Sequence, residues 1–92
     1  MTVLPLGKTY CTMGALFAFT QALDEEPDKF LARHANGGDW GELSESDRQA
    51  NEHAVANGLR VLSAYTLRTG EKIWIITEAD RSSTTILLPE EY

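Results

Sequence analysis

The chain has 92 residues, of which 42% are hydrophobic and 24% charged, and its formal net charge is −6. This length allows one domain with a small core, and the composition is that of a folded globular domain rather than a disordered chain. A single cysteine, Cys11, excludes an internal disulfide and a multi-cysteine metal site. We therefore expect residues 1–92 to form one domain.

Membrane insertion is not expected. The longest apolar run, MGALFAF at 13–19, is shorter than the roughly 20 residues that span a bilayer. Pro5 and Tyr10 interrupt the approach to this run, and no small-residue cleavage site follows it, so the pattern of a signal peptide is incomplete. These features predict a cytoplasmic protein.

The N-terminal part of the chain predicts an arm and a first helix. Residues 1–10 favour an extended arm or a short edge strand, because a proline and a glycine discourage regular structure there. A helix is predicted from the capping residue Thr12 to near Asp24, where Leu16, Phe19 and Leu23 recur at helical spacing.

Two more helices are predicted before residue 58. The segment PDKFLARHA (27–35) begins with a proline in its first turn, and Asn36-Gly37-Gly38 should end it by accepting a left-handed backbone. The third helix runs from the cap Ser44 to about Asn57, and Gly58 closes it. Its inner face should carry Ala50 and Ala54.

The C-terminal part of the chain predicts strands. The segments LRVLSAYTL (59–67), KIWIIT (72–77) and STTILL (83–88) are rich in β-branched and aromatic residues, and short turns separate them. The predicted fold is therefore an α+β domain: three N-terminal helices followed by a three-stranded antiparallel β-meander.

The negative charge is concentrated in one third of the chain. Between residues 21 and 52, nine acids against three bases leave a balance of −6, while acids and bases cancel elsewhere. Such a field repels nucleic-acid phosphates and attracts basic partners; an ordinary solvated helix surface explains the pattern about as well. The nine acids are Asp24, Glu25, Glu26, Asp28, Asp39, Glu42, Glu45, Asp47 and Glu52.

The stretch HANGGDWGELSESDRQAN (34–51) is the main candidate for chemistry. His34, Asp39 and His53 could perform acid–base catalysis, since histidine titrates near neutrality. However, no serine or cysteine lies beside them in a known motif, no glycine-rich phosphate loop is present, and no pair has a recognised metal-ligand spacing. The prediction is no enzyme activity, no cofactor and no metal; a small His/Asp enzyme is the less favoured alternative.

The two tryptophans have competing interpretations. Trp40 lies between small residues, and its ring is expected to pack in the core and cover a small interior. A role as an anchor for a binding partner is the less favoured interpretation. Trp74 fits packing under the helices or exposure on a sheet face. An exposed Trp74 would suit a homodimeric structural or regulatory module that associates through its sheet.

Several motifs together identify a resemblance over residues 30–92. The chain carries H-x-x-G-G-D-W-G, D-R-Q-A-N, L-S-A-Y and K-I-W-I-I-T-E-A-D-R-S-x-T-T-I-L-L-P-E-E-Y. In these it resembles a set of short bacterial proteins encoded on plasmids, prophages and other mobile elements. The resemblance implies a small protein that binds and blocks host machinery such as restriction enzymes or CRISPR complexes.

The charge pattern predicts a non-enzymatic acidic binding protein that acts as a monomer or homodimer, and the resemblance implies that it is of anti-CRISPR or anti-restriction type. Its partner would be a protein with a basic groove. Direct nucleic-acid binding is disfavoured, because the eight bases are dispersed. The predicted partner-binding residues are Asp39, Trp40, Glu42, Glu45, Asp47 and Glu52.

Overall fold

The computed structural model describes residues 4–36 and 39–92. Its elements in chain order are β1 (Lys8–Cys11), α1 (Met13–Gln21), α2 (Pro27–Ala35), α3 (Glu45–Asn57), β2 (Val61–Thr66), β3 (Lys72–Thr77) and β4 (Ser83–Leu87), followed by a 3-10 turn at Pro89–Glu91.

The helices begin where the capping residues predict. The Thr12 hydroxyl accepts a hydrogen bond from the Ala15 amide at 3.2 Å, and the Ser44 hydroxyl accepts one from the Asp47 amide at 3.1 Å. Each bond satisfies an amide that has no partner inside the helix. A carboxylate distant in sequence supports α1 as well, because Glu91 accepts from the Gly14 amide at 3.2 Å.

The helix ends differ in part from the predictions. Gly58 ends α3 with a left-handed backbone, as predicted, but α1 stops at Gln21, before the expected end near Asp24. Asn36 follows α2 with φ of −77°, so it does not take the left-handed conformation. Gly37 and Gly38, the rest of the predicted stop signal, lie outside the described residues.

The prediction of a three-stranded antiparallel meander is wrong. The sheet has four strands in the order β1-β4-β3-β2; the pairs β2–β3 and β3–β4 are antiparallel, while β1 is parallel to β4. The sheet is therefore mixed, and β1 pairs with a strand about 75 residues later in the chain. The sequence pattern within a short segment does not show which distant strand it pairs with.

Gly7 makes the docking of β1 possible. Its φ is +65°, and a Cβ placed there would lie 2.4 Å from the Ser82 carbonyl oxygen. The next residue, Lys8, donates its amide to that same oxygen at 3.1 Å. Only a residue without a side chain allows the backbone this close to β4.

The opposite edge of the sheet, along β2, is covered by two contacts. The Asn51 side chain donates to the Leu62 carbonyl at 2.6 Å and accepts from the Leu62 amide at 3.2 Å. Gly41 forms a bridge with Ala64, and its φ of +77° lets the chain approach where a Cβ would lie 1.9 Å from the Ala64 oxygen. These contacts satisfy backbone groups that an open edge would expose.

The core divides into two apolar clusters. In the larger cluster Phe30 lies between Phe19 and Tyr65, with ring centroids 5.9 and 5.3 Å apart, over residues of the central strands. The smaller cluster consists of Leu4, Trp40, Ala54 and Val61. On α3 it is Asn51 and Ala54 that are buried, so the expected inner position of Ala50 is wrong: its side chain is exposed.

Candidate partner-binding surface

Several acids of the 24–52 stretch are neutralised by nearby bases. Four of them form ion pairs: Asp24 with Arg68, Glu25 with Lys29 at 3.5 Å, Asp39 with Arg33 at 2.7 Å and Glu42 with Lys72 at 3.3 Å. The negative charge of this stretch that remains available to a partner is thereby reduced.

Asp39 is held in a structural cluster. Arg33 donates from Nε to Oδ2 at 2.7 Å and from Nη2 to Oδ1 at 3.0 Å, and these bonds hold the pKa of Asp39 below its usual value. The Arg33 guanidinium also lies 4.5 Å from the Tyr65 ring centroid, and the Tyr65 hydroxyl donates to the Asp39 carbonyl at 2.8 Å. This predicted partner-binding residue therefore fixes the loop to α2 and β2.

Trp40 lies in the core rather than on the surface. Only 4% of its surface is exposed, and it packs in the cluster with Leu4, Ala54 and Val61. Its carbonyl accepts from the Ala64 amide at 3.1 Å, which ties it to β2. In this conformation its ring is not open to a partner. The indole Nε1 has no hydrogen-bond acceptor among residues 4–36 and 39–92.

Glu42 is exposed but already engaged. The Thr66 hydroxyl and then the Lys72 ammonium lower the pKa of its carboxyl, and its backbone amide donates to the Ala64 carbonyl at 2.7 Å. An incoming basic group would have to compete with Lys72 for this carboxylate.

The remaining three predicted acids all lie on α3. Glu45, Asp47 and Glu52 are exposed, and none of them forms an ion pair with a base in the described part of the chain. Glu45 and Glu52 are seven residues apart and share one face of the helix, while Asp47 projects from another side of the first turn. We call Glu45, Asp47 and Glu52 the α3 acidic surface.

The two histidines have different environments. His34 is fully buried, whereas His53 is exposed on α3 and lies 3.2 Å from the Asn57 side-chain nitrogen through its Nδ1. A sealed imidazole cannot contact a substrate in this structure. Within residues 4–36 and 39–92, no group of three or more His, Cys, Asp or Glu side chains is placed to hold a metal ion.

His34 belongs to a chain of buried hydrogen bonds. Its Nδ1 contacts the Ser63 hydroxyl, its Nε2 lies 2.8 Å from the Thr77 hydroxyl, and Thr77 lies 2.8 Å from the Thr84 hydroxyl. Thr84 donates to the Leu6 carbonyl at 2.8 Å. Because that carbonyl can only accept, Thr77 donates to Thr84, and Nε2 carries the proton of a neutral imidazole.

Burial therefore lowers the pKa of His34 to about 4. A neutral ring satisfies both of its nitrogens in this chain, and a second proton on Nδ1 would remove the acceptor for Ser63. The arrangement stabilises a polar core in which α2 contacts β2 and β3.

Trp74 lies on the sheet face opposite the main core. It is half-buried, and its ring meets the Tyr92 ring edge-on at a centroid distance of 5.7 Å. Ile76 and Leu87, on the same face, are buried. Residues after β4 thus cover part of the face that the homodimer alternative requires to be open.

Arg81 has a structural role between the β3–β4 turn and α3. Its φ is +62°, and its guanidinium donates to the carbonyls of Ala54 at 3.0 Å, Leu59 at 2.6 Å and Glu78 at 3.1 Å. It therefore caps the C-terminal end of α3 from the β3–β4 turn. No signal in the sequence specifies this contact.

No helix in the described part of the chain is both long enough and apolar enough to cross a membrane. Comparisons with protein-family models, with curated proteins and with solved structures found no match.

Proposed function

We propose that the protein is a non-enzymatic binding protein that contacts a basic surface of another protein through the α3 acidic surface. The observation that carries the proposal is the exposure of Glu45, Asp47 and Glu52 without an ion pair in the described residues. Asp39 and Glu42 have base partners within the chain, so their charges contribute less to a contact.

Electrostatics supports a fast, selective contact. With a net charge of −6, the chain attracts basic partners at long range, and unpaired acids on a rigid helix can then fix the orientation of the encounter. Ser44 and Gly58 bound this helix, and Asn51 attaches it to β2. The α3 acidic surface therefore has a fixed geometry.

The resemblance to proteins of mobile elements extends the proposal to a target class. Under this proposal the partner is a host complex that handles nucleic acid, such as a restriction or CRISPR complex, and the carboxylates occupy a groove that normally receives phosphates. This part rests on the resemblance and on the sign of the charge.

The test of the contact is affinity capture from a bacterial lysate at low and high salt with three forms of the protein. The α3 variant is Glu45→Gln/Asp47→Asn/Glu52→Gln. The matched control, Glu26→Gln/Asp28→Asn/Glu90→Gln, removes the same charge from exposed acids elsewhere, including one in the first turn of another helix.

We expect the wild type and the control to retain the same partner at low salt, and the α3 variant to lose it. High salt should weaken every complex, because exposed charges are screened. Capture of the same partner by the α3 variant would refute the proposed surface.

The target class is tested by plasmid transformation. Expression of the wild type should raise the transformation efficiency of a strain with an active restriction or CRISPR system. An unchanged efficiency against each system would refute the proposed target class.

A further inference from the structure

The outer face of α1 is apolar and open to solvent. Met13 is 83% exposed, Leu16 51% and Phe17 65%, and Leu23, just after the helix, is 92% exposed. The first three are spaced by three and four residues, so they lie on one side of the helix. The opposite side, with Ala15, Ala18, Phe19 and Ala22, already packs in the main core.

This helix is apolar on both sides and carries no charge. Residues 12–23, TMGALFAFTQAL, contain no acid and no base, in a chain that is 24% charged. A helix that is apolar all round is normally buried on all sides. In α1 the side towards the sheet is buried, while the outer side stays exposed in the described part of the chain.

A groove runs beside this face. It has a volume of about 400 Å³ and lies between α1 and the turn that joins β2 to β3. Its lining consists of Gly14, Phe17, Ala18 and Gln21 of α1, Thr69 and Glu71 from the segment between β2 and β3, and Leu88. A groove of this volume has room for one large side chain from another molecule.

The size of the face fits a dimer of this chain. The four exposed side chains present on the order of 500 Å² per molecule, so that two such faces together bury about 1,000 Å², near the lower limit for a specific interface. Apolar patches of this size on a monomer are often functional.

Charge restricts how two copies can meet. Two molecules of net charge −6 repel one another, and Glu71 lines the groove, but the α1 faces carry no charge, so they can meet without burying any charge on the helices. A twofold axis would place Phe17 of each molecule in the groove of the other, as an isologous contact requires.

We propose that the outer face of α1 and its groove form the interface of a homodimer. The α3 acidic surface is not part of this interface, so the dimer would present two copies of it to a partner. The inference stands independently of the proposed α3 contact.

The test is the molar mass of the full chain in solution, measured by sedimentation equilibrium from micromolar to near-millimolar concentration. We expect the wild type to approach twice its 10.2 kDa as concentration rises, and its melting temperature to rise in parallel. A mass of one chain at every concentration would overturn the proposal.

Charged variants locate the interface. Leu16→Glu and Phe17→Glu should each raise the dissociation constant at least about tenfold, while circular dichroism stays unchanged because both side chains are exposed. The control is Leu59→Glu, an apolar residue that is 47% exposed outside α1; it should dimerise like the wild type. Dimers that persist in the two α1 variants, or that fail equally in the control, would contradict this interface.

Capture of a partner by the α3 surface is measured separately. The Glu45→Gln/Asp47→Asn/Glu52→Gln variant should keep the mass of the wild type. A monomeric wild type that still captures a basic partner would overturn the dimer and leave the proposed function intact.

Discussion

The His34 imidazole donates from Nε2 to the Thr77 hydroxyl across 2.8 Å and so joins α2 to β3 inside the core. The bond requires a neutral ring whose other nitrogen accepts from Ser63. Stability should therefore begin to fall near pH 6.5, before most carboxylates start to titrate.

The first prediction is a loss of stability on mild acidification. Burial lowers the pKa of His34 from 6.5 to about 4. Between these two pH values the imidazole is protonated in the unfolded chain but neutral in the folded chain. The stabilisation is complete above pH 6.5 and declines as pH falls towards 4; linkage gives about 2 kcal/mol lost by pH 5 and about 3 in total. Urea unfolding between pH 7.5 and pH 5 measures it.

Two variants separate His34 from other groups. His34→Gln should flatten the pH dependence in that range, whatever its absolute stability. His53→Gln should keep the slope of the wild type, since the buried imidazole is still present. Equal slopes for the wild type and His34→Gln would show that another group is responsible.

The second prediction concerns the cap that Arg81 provides. Arg81→Ala removes three donors to carbonyl oxygens but retains a side chain at a φ of +62°, so we expect a loss of about 2–3 kcal/mol in the free energy of unfolding. Arg81→Gly loses the same bonds but relieves the backbone, and should be about 1 kcal/mol more stable than Arg81→Ala. Chemical denaturation measures both; an unchanged Arg81→Ala would exclude the capping role.

The third prediction concerns the covered edge of the sheet. Asn51→Ala leaves both backbone groups of Leu62 without their side-chain partner, and we expect a loss of about 2 kcal/mol. Amide hydrogen exchange at Leu62 should accelerate more than at Ile75 in the central strand. Gln49→Ala, an exposed change on the same helix, should leave both measurements unaltered. Unchanged protection of Leu62 in Asn51→Ala would argue against the contact.

The fourth prediction tests the docking of β1. Gly7 and Gly58 have φ of +65° and +67°, but a Cβ at Gly7 would meet the Ser82 oxygen at 2.4 Å, whereas a Cβ at Gly58 has no atom within 4 Å. Both alanine variants carry the conformational cost of about 1 kcal/mol. For Gly7→Ala the free energy of unfolding should fall by roughly 2 kcal/mol more, because the added Cβ displaces β1. Thermal or urea unfolding of the two variants measures the difference. Equal losses of stability in Gly7→Ala and Gly58→Ala would contradict the close approach of Gly7 to Ser82.

Sequence patterns predicted those features that depend on neighbouring residues. The caps Thr12 and Ser44 and the stop at Gly58 lie where the structure has them, because capping involves residues three or four positions apart. The β2–β3–β4 order followed from short turns. The pairing of β1 with β4 was missed, since nothing local in KTYC identifies a partner strand so distant in sequence.

The candidate site was harder to predict for the same reason. Composition located the acids but could not show that Arg33 and Lys72 neutralise Asp39 and Glu42 from other elements. The spacing of Leu16, Phe19 and Leu23 predicted a helix without showing which side is buried, and of these three residues only Phe19 is buried. A helix with more apolar positions than one face can hold leaves the choice of buried side to tertiary packing.

The parallel pairing of Lys8–Cys11 with β4 has a consequence during synthesis. The ribosome releases β1 long before residues 83–87 emerge. The strand therefore stays unpaired while the residues between β1 and β4 are synthesised. Vectorial folding can assemble the helices and the β2–β3 hairpin first, but the sheet is completed last. A nascent chain that stalls before residue 83 would display an unmatched strand, which quality-control proteases and chaperones recognise.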